Sequence, residues 1–396
     1  MQDDRRARMA ALFRERFGAP PDIWVRAPGR VDLMGSHTDY NLGYVLTLPI
    51  SRDTWIAARA NGRSEVHLHS ANLGEGDCFS LARVGQAGAT KWSNYVRGVA
   101  AVLQTEGLRV QGFDGVIDST VPLESGLSSS AALECASAVV FQELGGWRLA
   151  PARMARLCQR AEHEFVGVDC GILDQFSSCL GQKESALLLD CRDLTTRPVP
   201  IAPGIQVVIS DTRAPRQLAT AEYTLRRRQC EEGAARLGIA SLREITMAEL
   251  RARVGELPDD VLKRCLFIVA ENQRVLDAAA ALASGDRPAL ARLLTESFRG
   301  ARDLFEICNP AMMAMMEAMR AAPGVIGGRQ AGAGFGGCMV ALIEEDARAG
   351  FCAAVARGYR EATGITPDVY AVEGAPGAGL LSNTPRGAAI MPDESP

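Results

Sequence analysis

Three stretches of the sequence gather residue types that do chemistry. The first is Val121-Pro122-Leu123-Glu124-Ser125-Gly126-Leu127-Ser128-Ser129-Ser130-Ala131-Ala132, a small-residue loop followed by a run in which Leu133, Ala136, Val140 and Leu144 share one helical face. Ser128, Ser129 and Ser130 are natural N-cap residues, and Gly145-Gly146 supplies a stop. Such a loop aims backbone N–H groups and the positive end of a helix dipole at one point. That is an anion site whose hydroxyls can bond phosphate or ligate Mg²⁺, although an ordinary capped helix reads the same way from this stretch alone. The second stretch, 27–41, crowds Arg30, Asp32, His37, Asp39 and Asn41 between apolar segments and reads as a loop that binds something. The third, Gly171-Ile172-Leu173-Asp174-Gln175, opens a helix with a carboxylate in it.

Several chemistries are excluded. Gly332-Ala333-Gly334-Phe335-Gly336-Gly337 fits G-x-G-x-x-G in form, but the residues after it, 338–344, read as a strand and not a helix, so it is no dinucleotide fingerprint. The chain has three lysines (Lys91, Lys183, Lys263), none in a Gly-Lys-Ser/Thr context, which rules out a Walker A loop. Any nucleotide is then held by backbone amides, hydroxyls and arginine. A net charge of −4, with no basic stripe beyond Arg226-Arg227-Arg228, argues against nucleic acid. The eleven cysteines include no C-x-x-C pair and read as free thiols of a reducing cytoplasm. No signal peptide or membrane-length apolar run is expected. His67 and His69 alternate with apolar neighbours and read as surface strand residues rather than metal ligands.

These groups need a scaffold, and 396 residues suffice for two domains with real cores. Strands are expected at 23–25, 44–50, 54–60, 65–69, 113–119, 185–190, 205–210, 339–343 and 369–372. Helices are expected at 4–18, 91–104, 131–144, 151–166, 221–237, 258–284, 286–304, 309–321 and 345–363. Three prolines between Pro198 and Pro203 mark a boundary, giving domains at 1–200 and 204–375 and a flexible tail at 376–396.

Read together, these motifs resemble the GHMP kinases, galactokinase branch. Gly29-Arg30-Val31-Asp32-Leu33-Met34-Gly35-Ser36-His37-Thr38-Asp39-Tyr40-Asn41 is similar to the family signature Gly-Arg-Val-Asn-Leu-Ile-Gly-Glu-His-Thr-Asp-Tyr-Asn. Residues 126–132 resemble its phosphate loop and 329–338 its glycine-rich third motif. Residues 161–167, 170–175 and 221–228 also match, in order along the chain.

The resemblance implies an α+β, two-domain fold with an inter-domain active site, and transfer of phosphate from ATP to the anomeric hydroxyl of a galactose-configured sugar. It places Asp174 at that hydroxyl with Arg30 beside it. An arginine next to a carboxylate favours its charged form, which suits proton acceptance, and can also stabilise charge on the phosphoryl group. It further implies Ser129 and Glu162 as Mg²⁺ ligands, and Trp92 and Tyr95 against adenine. Residues 126–131 (Gly126, Leu127, Ser128, Ser129, Ser130, Ala131) would lie around the phosphates, and Ser36, His37, Asp39, Gly171 and Tyr223 at the sugar. Two departures stand out. Ser36 replaces the family Glu that faces the sugar's sixth carbon, so galactose comes first while galacturonate or arabinose stay open. Glu124 replaces a phosphate-loop Gly and is expected to face solvent. The rival reading, a non-catalytic sugar sensor on this scaffold, is disfavoured by the retained Ser129, Ser130, Ala131, Glu162 and Asp174.

Overall fold

A computed structural model describes residues 2–381 apart from 86, 124, 169 and 216–218. The polar stretch 27–34 is strand, not loop. Strand β1 (Ile23–Met34) sends Val31 and Leu33 into an apolar core, while Arg30 and Asp32 take the alternate positions. Its register slips between Pro28 and Arg30 and again between Asp32 and Met34, bending the strand where the charged residues lie. The two strands expected at 44–50 and 54–60 are one, β2 (Tyr44–Ala60).

The first sheet is completed by β3 (Glu65–Ser70), β4 (Glu75–Ser80), β5 (Phe113–Ser119), β6 (Ser185–Asp190) and β7 (Thr196–Pro200). Along β2, β1 pairs with one edge, while β5 and β6 divide the other. Helix α1 (Gln2–Phe17) packs Met9 and Phe13 on Trp24 and Trp55 of the outer face. On the inner face lie α2 (Ser93–Thr105), α3 (Ser129–Gly145), α4 (Pro151–Ala161) and α5 (Leu173–Leu180), sharing one core with β1, β2, β3 and β5. The helix expected over 151–166 changes at Ala161 into a π-helical turn, Glu162–Val166, ended by Gly167 in left-handed conformation. Such turns widen the helix and reset the direction of side chains at functional positions.

The second sheet starts after the proline-rich segment. It has four antiparallel strands: β8 (Ile205–Asp211), β9 (Val325–Gln330), β10 (Cys338–Glu344) and β11 (Asp368–Val372), in the order β11-β8-β10-β9. Around it run α6 (Ala219–Arg236), α7 (Met247–Ala252), α8 (Asp259–Ser284), α9 (Arg287–Asp303), α10 (Pro310–Arg320) and α11 (Arg348–Thr363). A shared core containing Val31, Leu46, Leu127, Val275, Ala331 and Cys338 joins the two halves beside the site.

Part of the expected tail is built in: β12 (Gly379–Leu380) pairs with Arg26 and Val25 of β1. Residues 382–396, and Glu124 with its expected solvent orientation, lie outside the described residues. All eleven cysteines are free thiols. Among the described residues no helix is long and apolar enough to cross a membrane.

Candidate active site

Helix α3 starts at Ser129, fed by a loop that turns on Gly126 (φ 82°) and Ser128 (φ 60°). Ser128 holds the cap position but does not cap. A capping serine takes extended backbone, and the left-handed conformation here denies its hydroxyl that geometry. Its Oγ is buried with no hydrogen-bond partner among the described residues. An unpartnered buried hydroxyl costs about 1–3 kcal/mol, a loss that a phosphate oxygen would recover. Leu127 and Ala131 are buried under the loop, so only their backbone faces a ligand. The loop sits on β1 through Arg30 N–H donating to the Leu127 carbonyl at 3.1 Å. Gly29 permits this approach, because a Cβ there would stand 2.7 Å from that oxygen. From the other side, Cys338 N–H donates to the Ser125 carbonyl at 3.2 Å, so the glycine-rich third motif leads a strand up against the phosphate loop.

Arg30 joins the loop to the acid. Its Nε donates to Asp174 Oδ1 at 2.7 Å and its Nη2 lies 2.5 Å from the same oxygen, while Nη1 donates to the Gly126 carbonyl at 2.7 Å. Asp174 sits in the first turn of α5, after an Ile172 cap position, and so is not itself the cap. Burial alone would lower the pKa of Arg30, but Asp174 and Asp32 more than reverse this and raise it.

Glu162, at the start of the π-helical turn, is bonded by Gln175 Nε2 at 2.7 Å, by the Cys170 thiol at 3.2 Å and by Ser130. Gln175 also donates to Glu134 at 3.0 Å. Burial raises both carboxyl groups, Asp174 adds to the rise at Glu162 and Glu162 to that at Glu134, and Glu134 Oε1 has no partner among the described residues. The hydroxyl that meets Glu162 is therefore that of Ser130, with Ser129 one residue earlier on the same turn.

The sugar-side residues follow β1. Asp39 is buried, and burial, with Asp174 and Asp32 nearby, pushes its pKa up to about 7. Gly171 presses against it: a Cβ there would overlap Asp39 Oδ2 at 1.4 Å. Burial pushes His37 down to about 4, so its ring is neutral. Its Nε2 faces the Ala333 carbonyl at 2.8 Å and must carry the proton, leaving Nδ1 to accept from the Tyr40 hydroxyl at 2.8 Å. Both nitrogens thus have protein partners. The ring packs on Tyr223 and Phe305, with centroids 5.3 and 4.8 Å away. Ser36 is buried beside Arg329, whose Nη2 donates to its Oγ at 3.0 Å.

The two aromatic residues expected at adenine separate. Trp92 lines a groove of about 670 Å³ with Leu73, Glu75, Gly76 and Thr90, and its indole N–H is buried without a partner among the described residues. Tyr95 instead neighbours Glu162 and Glu134: burial and those carboxylates push its pKa up to about 12.

Known proteins match this arrangement along most of the chain. Family models match at 11–60 (galactokinase galactose-binding signature), 94–182 (GHMP kinases N terminal domain) and 278–361 (GHMP kinases C terminal). A galactokinase of Roseiflexus sp. (strain RS-1) is 40% identical over 379 residues, covering 94% of this chain and 97% of that protein. The human galactokinase is 41% identical, covering 93% and 95%. The chain belongs to the galactokinase family. The crystal structure of Lactococcus lactis galactokinase complexed with galactose superposes with a TM-score of 0.91 at 33% identity, covering 95% of this chain and 99% of that one. A mevalonate kinase at 15% identity and TM-score 0.62 shares the fold alone.

Within the galactokinase family signature, the chain departs at three places, Asp for Asn at 32, Met for Ile at 34 and Ser for Glu at 36, of which the first and last change polar chemistry. The motifs single out Ser36 but carry no signal for a role of Asp32, of Arg329 inside the third motif, or of Gln175 at the end of residues 170–175. Glu271, the partner of Arg329, sits in mid-α8 with no local signal: only tertiary packing brings it to the site.

Proposed function

We propose that this protein phosphorylates galactose at its anomeric hydroxyl with ATP, releasing galactose 1-phosphate and ADP. One observation carries the reading. A single buried guanidinium, Arg30, bonds Asp174 on one side and the phosphate-loop carbonyl of Gly126 on the other. An acceptor hydroxyl beside Asp174 and a phosphoryl group on the loop then meet at one arginine.

In this scheme the N–H groups at the start of α3 and the unpartnered Ser128 hydroxyl hold phosphate oxygens. Asp174 accepts the hydroxyl proton as the sugar oxygen bonds to the γ-phosphorus and the bond to the ADP oxygen breaks. Arg30 holds Asp174 in position and balances charge on the transferring group. Asp39, wedged against Gly171, offers a carboxylate to sugar hydroxyls, and His37 braces Tyr40 and Tyr223 around them. The indole of Trp92 borders the groove assigned to the base. The Glu162 carboxylate next to the Ser129–Ser130 turn suits Mg²⁺, and the buried Glu134 carboxyl nearby, with Oε1 unpartnered among the described residues, fits such a group. When bound, Mg²⁺ would neutralise triphosphate charge. A cytoplasmic setting accords with the free thiols.

The test is ADP release with galactose. Galactose binding without turnover would favour a sugar sensor instead.

A further inference from the structure

Beside Ser36 the structure buries a cation with spare donors, Arg329. Arg329 and Glu271 are both fully buried and paired at 3.1 Å. Glu271 accepts three bonds at Oε1, from Ser297 Oγ at 2.8 Å, Arg329 Nη2 at 3.1 Å and Gly35 N–H at 3.2 Å, and one at Oε2, from Arg274 Nε at 2.7 Å. None of them comes from Nε or Nη1 of Arg329. Arg329 Nη2 spends its second bond on Ser36 Oγ, while Nε and Nη1 have no partner among the described residues. Arg274 and Arg329 thus share Glu271, and Asp32 is the second carboxylate near Arg329.

Asp32 offsets charge there but fills neither open donor of Arg329 among the described residues. Its Oδ1 lies 3.3 Å from Arg30 Nε and has no hydrogen bond among the described residues, and its carboxyl feels Asp174 at one side and Arg329 at the other. It stands between the reacting end of the pocket and the Ser36 end. Burial lowers the proton affinity of Arg329, and the attraction of Glu271 and Asp32 does not restore it. In the family signature a Glu stands at position 36; here a shorter, neutral hydroxyl stands next to those donors.

We propose that the Ser36–Arg329 end of the pocket takes a carboxylate on the sugar's sixth carbon, making a galactose-configured uronic acid a substrate of this enzyme. A neutral CH₂OH can accept one of the open guanidinium N–H groups. A carboxylate can accept more of them in charge-assisted bonds and can also accept a hydrogen bond from the Ser36 hydroxyl. A pentose, having no sixth carbon, leaves the buried donors unpartnered. With Glu at 36, the uronate would face a like charge in a poorly solvated site. The inference rests on the sugar 1-kinase reading above and specifies its substrate class.

The test measures kcat/KM for galactose, galacturonate, 6-deoxygalactose and arabinose on the wild-type protein, then the first two on Ser36→Glu. The wild type is expected to use galacturonate at least as well as galactose, with 6-deoxygalactose and arabinose at least tenfold worse than galacturonate. Ser36→Glu is expected to lower the galacturonate-to-galactose ratio by a factor on the order of a hundred. Galactose turnover without galacturonate turnover overturns this inference and leaves the kinase reading standing. So does a ratio that Ser36→Glu does not move, or arabinose matching galacturonate. No turnover of any sugar overturns both. Should Ser36→Glu fail to fold, the four-sugar series on the wild type decides by itself.

Discussion

Replacing Asp39 with Asn separates what this carboxylate costs the empty protein from what it gives the sugar. The folded pKa of about 7 lies above the unfolded reference value of 3.8. A carboxyl raised in this way favours the folded state least where it must ionise. The penalty is absent below the unfolded pKa, grows as pH climbs between the two values, and is complete above about 7. Roughly three units at about 1.4 kcal/mol each give a ceiling near 4 kcal/mol, with local relaxation reducing it. Asn keeps an oxygen for the Tyr40 N–H and cannot ionise. Urea unfolding of ligand-free wild type and Asp39→Asn at pH 5 and pH 8 reads the difference. The variant should gain on the order of 1–4 kcal/mol over wild type at pH 8, and much less at pH 5. Its KM for sugar should rise at least tenfold, because a desolvated acceptor is lost. An equal stability difference at both pH values would refute the reasoning, since Asp39 would then not be ionising in a buried site.

Two further substitutions probe the loop. Arg30→Lys keeps the charge but cannot reach Asp174 and the Gly126 carbonyl together, so kcat should fall by about a hundredfold or more with little change in thermal stability; a mild kcat effect would show that the bridge is dispensable. Ser128→Ala removes a hydroxyl with no partner among the described residues, so ligand-free stability should hold or improve by up to about 1 kcal/mol while KM for ATP rises. Destabilisation with unchanged KM would mean that this hydroxyl faces the protein and not the nucleotide.

How far the sequence foretold the site depends on how local each cause is. The helix after Ser128 was legible because small residues, a stop and a 3.6-residue pattern sit within one window. Arg30 and Asp32 looked like loop residues because both faces of β1 are buried, one against the core and one against the charges of the cleft. The failed cap at Ser128 depends on left-handed backbone, which serine side chains do not announce. The turn at Glu162 depends on packing around Gly98, where α2 approaches closely enough that a Cβ would meet Phe165 at 3.0 Å. The role of His37 turned on Ala333, nearly three hundred residues away, and that of Ser36 on Arg329. Contacts of that range leave no periodicity to read.

The central claim is that Asp174 and Arg30 bring a sugar's anomeric hydroxyl to the phosphate held on the α3 loop. Its most direct test is ³¹P NMR of the product formed from ATP and sugar by the wild type and by Asp174→Asn, whose amide keeps the size of the side chain and loses its basicity. The account predicts a sugar phosphate whose phosphorus couples to the anomeric proton in the wild type, and no product from the variant despite retained ATP binding. A phosphate on any other carbon, or near-wild-type product from Asp174→Asn, would contradict it.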